Sequence, residues 1–107
     1  MLLLENTSFG GQISYSPEVE NYPGFKSISG LDFSDRLLSQ AAAAGAETSF
    51  ETALSLKIDG KLKTVTTDSG EHRCLAVIIA AGMKHRKIGL ENEERFTGKG
   101  ISYCAVC

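Results

Sequence analysis

The chain has 107 residues, 42% of them hydrophobic and 22% charged, with a formal net charge of -2 at neutral pH. This length allows one domain at most, and the composition is too apolar for a disordered segment. A pI near 5.6 gives no electrostatic pull toward nucleic acid or an anionic membrane, and no apolar run approaches the roughly 18–20 residues of a membrane span. Met1-Leu2-Leu3-Leu4 lacks the basic flank and cleavage site of a signal peptide. Three cysteines without such a signal argue for a reducing, cytoplasmic setting and against a secreted disulfide scaffold.

Leu2-Leu3-Leu4, closed by Glu5, reads as a short strand that is apolar on both faces and suits a parallel sheet covered on both sides. From Asn6 to Gly24 the composition turns to Gly, Ser, Asn and Pro, a long irregular loop with Ile13, Tyr15, Val19, Tyr22 and Phe25 as apolar anchors in and just after it. A helix follows. Ser29 is its N-cap, Asp32 lies in its first turn, and Leu31, Leu37, Leu38, Ala41 and Ala42 recur at helical spacing before Gly45 stops it. The Ala41–Ala44 run would let the helix lie close to a sheet.

Beyond Glu47 the pattern changes to strands. Ala53–Ile58 alternates, Asp59-Gly60 signals a hairpin, and Leu62–Thr67 is rich in β-branched residues. Ser69-Gly70 marks a second turn before an apolar third strand, Cys74–Ile79, which by composition should be the most buried. The three strands form a β-meander. After Gly82 the chain is polar as far as Gly100. Because it opens on a buried strand and closes on a cysteine, the expectation is a piece of a domain, incomplete at both ends.

Cys104-Ala105-Val106-Cys107 is the strongest chemical motif. A Cys-x-x-Cys disulfide closes a very small loop, so it adds little stability but exchanges readily. The competing reading is half of a zinc site, which needs two further Cys or His ligands. His72, Cys74 and His85 form no second knuckle, and spacing alone favours redox chemistry at about four to one. Cys74, within the apolar strand, reads as an inert core residue. Gly10-Gly11-Gln12 permits close backbone approach to a ligand, although a Gly-Gly turn is more often only a turn. Glu5 ends a strand where nucleotide-binding folds place a ribose-binding acid, although by itself it is more readily a solvated carboxylate. Lys84-His85-Arg86-Lys87 reads as a solvated loop, His72 as strand surface, and Asn21-Tyr22-Pro23-Gly24 as a rigid turn.

In combination these residues resemble the flavin domain of low-molecular-weight, bacterial-type thioredoxin reductases. Gly10-Gly11-Gln12, Val19-Glu20-Asn21-Tyr22-Pro23-Gly24-Phe25 and Ile28-Ser29-Gly30 carry the first part of the likeness. Ile78-Ile79-Ala80-Ala81-Gly82, Gly89-Leu90-Glu91 and Gly98-Lys99-Gly100-Ile101-Ser102-Tyr103-Cys104-Ala105-Val106-Cys107 carry the rest. The resemblance implies an α/β fold of the FAD/NAD(P)-binding, Rossmann-like three-layer type, with residues 1–107 a partial FAD-binding domain. It implies that Glu5 meets the adenosine ribose, that Gly10, Gly11 and Gln12 pack against FAD, and that Asn21 lies near the isoalloxazine. Ala80, Ala81 and Gly82 match an Ala-Thr-Gly turn passing the cofactor, with Ala81 lacking the threonine hydroxyl. Cys104 and Cys107 would take electrons that originate in NADPH and hand them to the disulfide of thioredoxin.

The family's Gly-x-Gly-x-x-Gly loop, NADPH domain and C-terminal return are missing from this sequence, so the chain alone is expected to be inactive. The resemblance further implies a homodimeric, cytoplasmic parent with no resident metal, no nucleic acid and no membrane partner. Other flavin disulfide reductases of the superfamily, such as peroxiredoxin reductases and dithiol oxidases, share both motifs. A non-enzymatic zinc or thiol module is the more distant alternative.

Overall fold

The computed structural model describes residues 1–104, and the predicted site residue Cys107 lies outside them. The described residues form β1 (Leu2–Glu5), α1 (Gly30–Ala43), β2 (Glu47–Phe50), β3 (Ala53–Asp59), β4 (Leu62–Thr67), β5 (Glu71–Cys74) and the single turn α2 (Glu93–Phe96). A 3-10 turn, Gly11–Tyr15, lies between β1 and α1.

β1 and β2 pair in parallel, from Leu2 opposite Glu47 to Glu5 opposite Phe50. Parallel strands need a long crossover, and the loop with α1 supplies it. Leu2 and Leu3 are nonetheless exposed, against the expectation of a strand buried on both faces, because a two-stranded sheet covers too little of either face. The meander forms with a different third strand. β3, β4 and β5 are antiparallel, turning through Gly60-Lys61 and through Asp68-Ser69-Gly70. The third strand is Glu71–Cys74, not Cys74–Ile79. Leu75, Ile78 and Ile79 are 75%, 84% and 77% exposed and carry no regular structure. Their apolar side chains have no layer to pack on, so hydrophobicity alone did not make them a strand.

α1 begins and ends where its caps require. Asp32 N–H donates to Ser29 Oγ at 3.0 Å, and Ala44 N–H returns to Gln40 and Ala41 carbonyls at the far end. Its buried positions are Gly30, Phe33 and Ser34, while Leu31 and Leu37 are exposed. The leucine spacing therefore marked a helix but not its packed face. Nor does the alanine run meet a sheet: Ala42, Ala43 and Ala44 are exposed, and α1 leans on the 3-10 turn.

That contact is close. A Cβ on Gly30 would sit 1.8 Å from the Ile13 carbonyl oxygen, and Gly30 N–H donates to Ser16 O at 2.9 Å.

The loop before α1 is more ordered than its composition implied. Val19 and Ile28 exchange backbone hydrogen bonds at 2.8 and 3.1 Å. With Phe33 they make the buried cluster, with Phe25 packed against it. Of the expected anchors only Val19 is buried and Phe25 half-buried, whereas Tyr15 is 82% exposed. Burying three such side chains is worth about 1.5–3 kcal/mol each, a small core for this length. The radius of gyration is 17.6 Å, against ~13 Å for a compact domain of this size.

Candidate functional site

Glu5 closes β1 and turns its carboxylate back on the chain. Oε1 accepts from the N–H groups of Asn6 and Thr7, both at 3.0 Å, and from Thr7 Oγ1 at 3.2 Å. The Thr7 N–H hydrogen bond holds its pKa below the ordinary value; burial opposes it, and the Thr7 hydroxyl and the Asn6 and Ser8 N–H groups add to the lowering. A carboxylate kept ionised at a strand end can accept a ribose hydroxyl.

Gly10 has φ +110°, a conformation that glycine adopts without strain. A Cβ there would meet Ser34 Oγ at 2.7 Å and Ser34 Cβ at 2.8 Å, so Gly10 is fixed by sterics as well as by conformation. Gln12 Nε2 donates to the Met83 carbonyl at 3.2 Å, across 71 residues of sequence. This bond brings Gly10-Gly11-Gln12 beside the segment that carries Ala80, Ala81 and Gly82. Ala80, Ala81 and Gly82 are exposed, and a Cβ built on Gly11 or Gly82 would meet nothing within 4 Å. Bare backbone next to open space on both sides of one contact can receive a flat or phosphorylated ligand at close range.

Asn21 is exposed at the start of the predicted turn. The turn closes through Phe25 N–H to Tyr22 O at 3.4 Å, and the Tyr22 ring stands edge-on to Phe33 at 4.7 Å. The aromatic contact ties the Asn-Tyr-Pro-Gly segment to α1. Among the described residues no hydrogen bond joins Asn21 to Glu5 or to the glycines.

Cys104 is half-buried. Its N–H donates to Ser102 Oγ at 3.2 Å, and that hydroxyl donates to Cys104 O at 2.9 Å. The Tyr103 ring stacks on His85 with centroids 5.7 Å apart and planes 17° from parallel. His85, expected as plain loop surface, thus braces the residue before Cys104. The segment 83–85 meets Gln12 at one end and Tyr103 at the other, so one strap joins the glycine constellation to the cysteine segment. Lys87, expected as solvated, pairs with Glu94 at 2.6 Å on the surface. That pairing, chiefly by hydrogen bond, raises the Lys87 pKa and lowers that of Glu94.

Two carboxylates had no place in the sequence reading. Glu51 follows β2, and its side chain is only 11% exposed. It accepts from Thr67 Oγ1 at 2.5 Å and from Ser49 Oγ at 2.7 Å, with His72 Nε2 at 2.7 Å. Thr67, then His72 and Ser49, hold its pKa at about 2. His72, expected as strand surface, is half-buried in this cluster. Glu93, in α2, is buried. Cys74, expected in the core, is a half-buried free thiol at the end of β5. Among the described residues no group of three or more His, Cys, Asp or Glu is arranged to hold a metal, and no helix is long and apolar enough to cross a membrane.

Comparison with known proteins shows what the chain is similar to. No protein-family model matches the chain. Thioredoxin reductase of Listeria innocua is 50% identical over 99% of this chain and 33% of its own length. Thioredoxin reductase of Bacillus subtilis is 44% identical over 99% of this chain and 34% of its own length. The chain is homologous to one third of a thioredoxin reductase. The crystal structure of the Lactococcus lactis thioredoxin reductase superposes with a TM-score of 0.83 at 36% identity, over 99% of this chain and 35% of that one. The α/β fold is accordingly the corresponding part of the FAD/NAD(P)-binding, Rossmann-like fold. The chain spans about a third of the length of the thioredoxin reductases it matches.

Proposed function

We propose that this chain is the flavin-side segment of an FAD-dependent thioredoxin reductase, in which Cys104 and Cys107 pass electrons from NADPH, by way of FAD, to the disulfide of thioredoxin. The observation that carries the reading is near-complete homology over a sequence that ends in Ser102-Tyr103-Cys104-Ala105-Val106-Cys107. Glu5, Gly10, Gly11, Gln12, Asn21, Ala80, Ala81 and Gly82 are the residues that would hold FAD. The open backbone at Gly11 and Gly82 and the ionised Glu5 suit such a group. Bound flavin supplies two-electron transfer between a nicotinamide and a disulfide.

The protein's own part is thiol chemistry. The Cys104–Cys107 disulfide takes up two electrons and two protons and opens to a dithiol. One thiolate then attacks a thioredoxin sulfur, forming a mixed disulfide and releasing the other thioredoxin sulfur as a thiol. The second cysteine resolves the mixed disulfide, which restores the intramolecular bond. Ser102 and Tyr103 hold the backbone where this exchange occurs. The parent works as a cytoplasmic homodimer, and the chain by itself does not turn over NADPH.

Thiol counting tests the redox assignment. The purified chain is oxidised with glutathione disulfide, alkylated, and analysed by mass. Protection of two cysteines, reversed by dithiothreitol, with Cys74 alkylated in both states and no bound zinc, is the expected outcome. Stoichiometric zinc, with both terminal cysteines shielded until a chelator is added, would replace this reading with a metal-binding one.

A further inference from the structure

Glu91-Asn92-Glu93-Glu94 places three acids in four residues, yet only Glu93 is buried, at 5% exposure. Its carboxylate collects donors from a loop and from a distant side chain. Oε2 accepts from Gly89 N–H at 2.7 Å and Leu90 N–H at 3.2 Å. Oε1 accepts from Ile88 N–H at 3.1 Å and from the Tyr103 hydroxyl. Ile88 N–H also reaches Tyr103 Oη at 3.2 Å, so the donors and the ring close one network. The same unit is tied behind. Thr97 Oγ1 donates to Glu93 O at 2.9 Å, Gly98 N–H to Ile101 O at 2.9 Å, and Ile101 N–H to Phe96 O at 3.0 Å. A buried carboxylate is retained in a fold only when its donors satisfy it. Here the donors to its carboxylate come from the loop 88–90 and from the residue that precedes Cys104.

We propose that Glu93 is a positioning residue for the redox pair: through Tyr103 it fixes the backbone from which Cys104 enters the disulfide. The proposal rests on the redox reading of Cys104 and Cys107. A disulfide requires its Cα atoms about 4.4–6.8 Å apart with a narrow range of torsion. A backbone already held at Tyr103 and Cys104 loses less freedom when the bond closes, so the two sulfurs meet at a higher effective concentration. Releasing Tyr103 gives that freedom back to the dithiol and favours the open form.

The test is an equilibrium between the 107-residue chain and glutathione buffers. In it the dithiol gives two electrons and two protons to glutathione disulfide, forming its own S–S bond and two glutathione thiols. Tyr103→Phe removes one hydroxyl and keeps the ring on His85. The expected result is a three- to tenfold fall in the equilibrium constant for forming the pair, the upper end being ~30 mV toward a more oxidising potential. Glu93→Gln is expected to shift it in the same direction. Glu94→Gln, which removes an exposed partner of Lys87, should leave it unchanged. If Glu93→Gln does not fold, Tyr103→Phe decides alone, its fold checked by circular dichroism. An unchanged constant in folded Tyr103→Phe overturns the positioning role. Failure of the unaltered chain to form a reversible pair overturns the redox reading, and this proposal with it.

Discussion

Replacing Gly30 with alanine sets helix propensity against packing, and the structure says which wins. Gly30 is the first residue of α1, where alanine is intrinsically better by at most the helix-interior difference of about 1 kcal/mol. The added Cβ, however, would lie 1.8 Å from Ile13 O and 2.9 Å from Ser16 O. An ordinary carbon–oxygen contact is about 3.3 Å or more, so the helix must retreat by roughly 1.5 Å. That movement breaks the 2.9 Å bond from Gly30 N–H to Ser16 O. Overpacking typically costs about 1–3 kcal/mol, and the lost hydrogen bond adds about 1 kcal/mol.

The net expectation for Gly30→Ala is a loss of about 1–3 kcal/mol. With a urea slope of about 1–2 kcal/mol per molar, the unfolding midpoint followed by helical circular dichroism falls by roughly 1 M. Ser39→Ala, at an exposed position of the same helix, should stay within about 0.5 kcal/mol of the parent. A Gly30→Ala chain as stable as the parent, or more so, would refute the steric argument and leave propensity in charge. The consequence reaches the site, because the 3-10 turn displaced by the new methyl carries Gly11 and Gln12.

Two further predictions follow from the same structure. Glu51 is held at about 2, against an ordinary value of 4.5, so its contribution to stability is complete above about pH 4.5 and is lost as pH falls toward 2. Urea midpoints should drop across that window, and Glu51→Gln should flatten the drop; an equally steep fall in the variant would remove Glu51 as its source. The accessible surface is 8916 Å², against about 5,800 Å² for a compact chain of this mass, and Leu75, Ile78 and Ile79 contribute bare apolar surface. Sedimentation of the isolated chain should reveal association or an expanded species, and a compact monomer would contradict this.

What the sequence could convey depended on how local the physics was. Ser29, Asp32 and Gly45 are local signals, and they delimited α1 within a residue or two. Asp59-Gly60 and Ser69-Gly70 fixed both meander turns for the same reason. The parallel partnership of Leu2–Glu5 was legible from an unbroken apolar run. Cys74–Ile79 misled because an apolar run becomes a strand only when neighbours cover it, and neighbours are not written in the run itself. Glu93 was invisible because it sits among acids that look solvated, and its donors come from Ile88 and Tyr103. The spacing Gly89-Leu90-x-x-Glu93, a carboxylate three residues after a glycine-containing turn, was the available hint. The pairing of Glu51 with His72 was missed because 21 residues and two strands separate them. The Gln12–Met83 bond, which draws the glycine pair and the Ala-Ala-Gly turn together, likewise could not be read from either motif alone.

The proposed function rests on the two sulfurs. In the proposed full-length parent loaded with FAD, Cys104→Ser and Cys107→Ser should each leave NADPH able to bleach the flavin while abolishing reduction of thioredoxin disulfide. Undiminished thioredoxin reduction in either variant would contradict it.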